Sequence, residues 1–118
     1  MKVKALVWLG VKTQHFGAMT ALFRDVMGLA SYQEDALSVR FRLADQTEVH
    51  VYNSSDRDHD FFGSGPVVGF LVDDLEGAKR EMEAAGVVFI GPIQHSESHS
   101  WNHFHGPDGN VYELMAER

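Results

Sequence analysis

The 118-residue chain contains no cysteine. That removes disulfides and thiolate metal sites together, and it points to a reducing compartment, with the cytoplasm as the expectation. Basic residues are scarce: ten Lys and Arg stand against seventeen Asp and Glu, for a formal charge of −7. No basic stripe offsets that charge, so nucleic acid is not an expected partner. Long apolar runs are missing as well. Nothing approaches the roughly 20 apolar residues of a membrane span, so no membrane partner is expected. The opening MKVKALVWLGVKTQ carries two lysines before an apolar run, but the run is short and Lys12 interrupts it. It also lacks a small-residue cleavage site, and it reads as a strand. What is present, 44% hydrophobic and 23% charged residues, is the composition and length of one globular domain with its own core.

Alternation is plain in KALVWLGVK, where Ala5, Val7, Leu9 and Val11 fall on one face and Leu6, Trp8 and Gly10 on the other. Phe16, Met19, Phe23, Val26 and Met27 then recur at helical spacing, with Gly28 as the stop. LSVRFRL and TEVHVYN alternate again around ADQT and predict a hairpin. SSDRDHDFFGSGP is polar and glycine-rich with no periodicity, which predicts a linking loop. After it the pattern restarts: PVVGFLV as a strand, a helix over LEGAKREMEAAG capped by Asp73 or Asp74 and stopped at Gly86, then VVFIG, SWNHFH, the turn GPDGN and VYELMA. A strand–helix–strand–strand–strand order therefore occurs twice, an internal duplication.

The phrases ALFRDVMGL, VGFLVDDLEGAKREMEAAGVVF and above all GPDGNVYELM resemble the vicinal oxygen chelate superfamily of glyoxalases, bleomycin-resistance proteins and extradiol dioxygenases. The resemblance covers nearly the whole chain. It implies an α+β fold in which two βαβββ modules form an open cup of mixed β-sheet, usually in a homodimer. The expected layout is a single domain over 1–118, with module one at about 1–54, a linker at about 55–65 and module two at about 66–118.

Strand parity sorts the side chains. The smoother apolar rows, such as Val39, Phe41, Val49, Val51, Phe70, Phe104 and Leu114, are expected against the helices. The other rows, with Trp8, Arg40, Arg42, His50, Tyr52, Val67, Leu71, Trp101, His103, Glu113 and Met115, are expected to line the cup. Polar groups converging among aromatics are what a small-molecule pocket needs. The resemblance also implies four metal-ligand positions, and these fall on Trp8, His50, Val67 and Glu113. Two of the four cannot coordinate, so no metal cofactor is expected. A rebuilt site for zinc, nickel, manganese or iron would have to use His50, His103 and Glu113. The crowded stretch HSESHSWNHFH then holds ligand-facing as well as solvated histidines: His95 and His99 are expected in a polar loop, and His59 in the linker as structural or solvated.

Two functions follow from these residues. One is a metal-free, glyoxalase-like or bleomycin-resistance-like protein that holds a small molecule between Trp8 and Trp101. Arg40, His50, Tyr52, His103 and Met115 complete the predicted ligand-binding set. The other is a lyase or isomerase acting near a carbonyl, with Glu113 and His103 as acid–base groups or with the rebuilt metal site. Dioxygenase chemistry is disfavoured, because Trp8 and Val67 interrupt the iron site it needs. Trp8 and Trp101 also have a plainer reading, as core side chains that fill a vacated site.

Overall fold

The computed structural model describes residues 1–63 and 65–118. The chain forms two compact units, Trp8–Val67 and the segment Val68–Arg118 together with Met1–Val7. The strand β1 (Val3–Thr13), which belongs to the first unit from Trp8 onward, leads into the helix α1 (Phe16–Ala21). That helix continues as one widened π-helical turn over Leu22–Val26. Gly28, at φ 74°, then turns the chain into β2 (Ala30–Glu34), followed by β3 (Ser38–Arg42) and β4 (Glu48–Asn53). Within this unit the strand order is β2-β3-β4-β1, with β1 and β4 parallel and the other neighbours antiparallel.

The second unit repeats the plan with β5 (Val67–Val72), α2 (Leu75–Ala84), β6 (Phe89–His95), β7 (His99–His105) and β8 (Val111–Glu117). Its order is β5-β8-β7-β6, and again the one parallel pair is first strand with last. The duplication read from the sequence is thus a duplication of topology. It extends to register: Gly10 pairs with His50 in one unit and Gly69 with Glu113 in the other.

Each helix lies on its own sheet through the apolar rows. Val39, Phe41, Val49 and Val51 form a buried cluster that receives Phe16, Met19 and Phe23 from the first helix. Val72, Leu75, Ala78, Phe104, Leu114 and Ala116 form the second cluster, with Met82 packed against it. Asp74 caps α2, its carboxylate accepting from the Gly77 backbone N–H at 3.0 Å. The GPDGN turn is held by Asp108, which accepts from the Asn110 backbone and from the Tyr112 hydroxyl at 2.6 Å. Those bonds, that of Tyr112 first, hold its carboxyl below the usual range.

One expectation about loops changes, and another gains a detail. His95 closes β6 and His99 opens β7, so the stretch read as a polar loop is mostly strand, with a short turn between them. The linker is anchored as well as polar. Phe62 and Asp56 are buried, because Phe62 packs against Trp8 and Tyr52 and so carries the segment down onto the sheet.

Candidate functional site

With the helices covering one face of each sheet, the polar and aromatic rows occupy the other. In the first unit three rows lie side by side. Arg40 is directly across from His50, and Arg42 from Glu48. On the opposite flank Trp8 is level with Glu48, and Gly10 with His50. Gly10 is what lets the indole lie down: a Cβ there would sit 2.1 Å from the Trp8 ring. The ring in turn meets His50 edge-on at 5.4 Å between centroids.

His50, itself buried, is the hub of a polar chain. Its Nε2 lies 2.8 Å from Glu48 Oε1, and its Nδ1 lies 2.9 Å from the Tyr52 hydroxyl. Glu48 also accepts from the Tyr32 hydroxyl, and its second oxygen faces Arg42 at 3.5 Å. The bond from His50 is the main cause holding the Glu48 carboxyl down at about 2, with the Tyr32 bond and the charges of His50 and Arg42 adding to it. Burial first, and then the bond to Glu48, push the Tyr32 phenol up to about 12. With Glu48 an ionised acceptor, Nε2 of His50 carries a proton and donates to it. His59 stacks on Tyr52 at 3.7 Å, and its Nδ1 lies 3.2 Å from the buried Asp56 carboxylate. The expectation that His59 is structural fits this position.

In the second unit the register places His103 opposite Glu113 and Trp101 opposite Met115. His103 and Glu113 are both buried, with Nε2 and Oε2 3.0 Å apart. That is an ion-pair separation without the alignment of a hydrogen bond. Glu113 Oε1 is also buried and has no hydrogen-bond partner among the described residues. Trp101 and Met115 are half-buried on the same face.

Every side chain assigned from the sequence to the site face is therefore on a strand and at the predicted parity. Trp8, Arg40, His50 and Tyr52 gather in one unit, and Trp101, His103, Glu113 and Met115 in the other. Parity alone did not show the parts played by Tyr32, Glu48 and Asp56. Glu48 was within reach, being two residues before His50 on an alternating strand. Tyr32 was not, since its placement depends on a register shift in β2 between Ser31 and Gln33.

The four positions at which the resemblance implies metal ligands do not fit an ion. Trp8 and Val67 offer no donor, and both ring nitrogens of His50 are already engaged. Among the described residues no group of three or more His, Asp or Glu side chains is arranged to hold a metal.

The sequence matches no family model, and comparison with curated proteins by sequence finds no match. Comparison of structures does. The chain is similar to the Mn(II)-bound glyoxalase from Novosphingobium aromaticivorans, with a TM-score of 0.78 and 21% identity, over 97% of this chain and 39% of that one. It is similar to a glyoxalase/bleomycin resistance protein/dioxygenase superfamily member from Vibrio splendidus 12B01, with a TM-score of 0.70 and 17% identity. That match covers 95% of this chain and 97% of the other. It is also similar to methylmalonyl-CoA epimerase from Mycobacterium tuberculosis, with a TM-score of 0.72 and 15% identity, over 98% and 89% of the two chains. The chain has the vicinal oxygen chelate fold. It spans well under half of the Novosphingobium glyoxalase chain and nearly the full length of the Vibrio protein.

Proposed function

We propose that this is a small-molecule-binding protein of the glyoxalase and bleomycin-resistance type, working without a metal such as the Mn(II) bound by the Novosphingobium glyoxalase. The observation that carries the reading is Glu113. A carboxylate oxygen buried without a donor costs on the order of 1–3 kcal/mol or more, and such groups are rare unless a partner arrives in the working state. Glu113 Oε1 is that group. The fitting ligand brings an N–H, an O–H or a positive charge to it, in keeping with the net charge of −7. Half-buried Trp101 and Met115 supply apolar contact on the same face.

The test is a thermal-shift screen of cationic drugs, thiol conjugates and keto acids on the unaltered chain and on Glu113→Gln. A ligand that raises the melting temperature of the first and loses roughly tenfold or more in affinity for the second supports the reading. A confirmed ligand that binds both equally sinks it. Elemental analysis of the purified protein is expected to find no stoichiometric transition metal. One zinc, nickel, manganese or iron per chain would instead promote the His50, His103 and Glu113 set.

A second reading has its own support in the 3.0 Å separation of His103 and Glu113. An imidazole and a carboxylate that close are an acid and a base within reach of one substrate, and a carboxylate so placed can take a proton from a carbon next to a carbonyl. That is lyase or isomerase chemistry. Exchange of the substrate's α-proton with deuterated solvent, abolished by Glu113→Gln, would distinguish it from binding alone.

A further inference from the structure

Arg40 lies in the middle of the site face of the first unit without an ion-pair partner among the described residues, although its charge helps lower the Asp35 carboxyl. Its Nε is buried and has no hydrogen-bond partner among the described residues. None of the ion pairs among those residues includes it. Carboxylates are not in short supply, since acidic residues outnumber basic ones seventeen to ten. Arg24, Arg42 and Arg57 each face one. Arg80 and Arg118 have none, but both are exposed, where water serves them. Arg40 is half-buried, and its Nε is out of reach of water. A guanidinium is a flat fork of five donors that matches the two oxygens of a carboxylate.

The neighbours decide what that fork can take. Glu48 is the acid next to it on this face, and it is fully occupied. One oxygen accepts from Tyr32 and His50, and the other faces Arg42. Turning it toward Arg40 would break those contacts. We propose that Arg40 anchors the carboxylate of a small-molecule ligand, which lies along His50, directly across the β3–β4 pair. Arg40 and Arg42 outnumber the Glu48 carboxylate on this face, which suits a monoanion. An ionised Glu48 repels the second charge of a phosphate. The overall charge of −7 repels anions at long range, so the affinity comes from contact at the fork and not from steering.

This site shares with the proposed function only the idea that the face opposite the helices binds ligands. Glu113 belongs to the other unit, so each reading can fail alone.

The experiment follows the arginine Nε–H resonances of the ¹⁵N-labelled full chain, with that of Arg40 assigned by its absence in Arg40→Lys. Benzoate, pyruvate, benzamide and inorganic phosphate are titrated separately. The Arg40 resonance is expected to shift saturably with at least one carboxylate and to stay still with benzamide and phosphate. Arg40→Lys should weaken that carboxylate roughly tenfold, because an ammonium cannot replace the fork, while Glu113→Gln leaves its affinity unchanged. If Arg40→Lys does not fold, the Arg40 signal is assigned by through-bond correlation on the unaltered chain, and that titration decides. The proposal is overturned if no carboxylate saturates the signal, if phosphate binds as tightly, or if Arg40→Lys binds the carboxylate normally. Loss of binding in Glu113→Gln alone would also overturn it, and would favour the other unit's site.

Discussion

Gly10 is the residue whose smallness can be tested most directly. A methyl group there would overlap the Trp8 ring, which would have to lift off the sheet and away from His50. Gly10→Ala is therefore expected to destabilise the protein by about 1–3 kcal/mol, the usual range for forcing extra volume into a packed site. Urea unfolding would measure the loss, and altered indole emission in the folded state would show that the ring had moved. Glu48 gives a pH dependence with a definite sign. Its carboxyl is held at about 2, below the ordinary value of 4.5, so its contribution to stability is complete above 4.5 and disappears as pH falls toward 2. Melting temperatures measured across that window should fall for the unaltered chain, and fall less steeply for Glu48→Gln. Equal slopes would show that the His50 and Tyr32 contacts do not hold the charge.

Among the elements, α2 depends on its cap. Asp74→Ala removes the acceptor for the Gly77 N–H, and it should cost about 1 kcal/mol, read as a lowered melting temperature that Asp74→Ser largely restores. The strands other than β2, and both helices, could be read from periodicity because each has one face against a core, and burial on one side is what writes a period into a sequence. The polar row of β4 followed from the same alternation. The missed features break alternation instead. In β2 the extra residue at Tyr32 lets the ring reach Glu48, and every residue of that strand is exposed, so no buried face marks its register. The anchoring of the linker was not legible either. Two phenylalanines among charged residues were its only sign of anchoring, and Phe62 alone of that pair is buried.

For the molecule as a whole, a homodimer is the expected state. The strands β2 and β6 each end a row of strands, and β2 is short and solvent-exposed along its whole length. Such edges are ordinarily covered or blunted. Val26, Met27 and Leu37 add exposed apolar surface in the same unit as β2. Sedimentation at micromolar concentration should give twice the chain mass, and a monomer there would refute this. The parallel pairing of first strand with last also governs how the protein folds. Joining Trp8 to Glu48, or Gly69 to Glu113, closes a loop of about 40 residues before the contacts reward it. The helices and the antiparallel hairpins need no such closure. Refolding is therefore set by two long-range joining events, in the millisecond-to-second range typical of non-local sheets. The two tryptophans divide the labour of reporting them. Trp8 meets His50 only once the first loop has closed, whereas Trp101 lies on a strand whose neighbours are close in sequence. Stopped-flow emission from Trp101→Phe isolates the slow closure, and that from Trp8→Phe follows the earlier local pairing, so the chain carries its own clock for each kind of event.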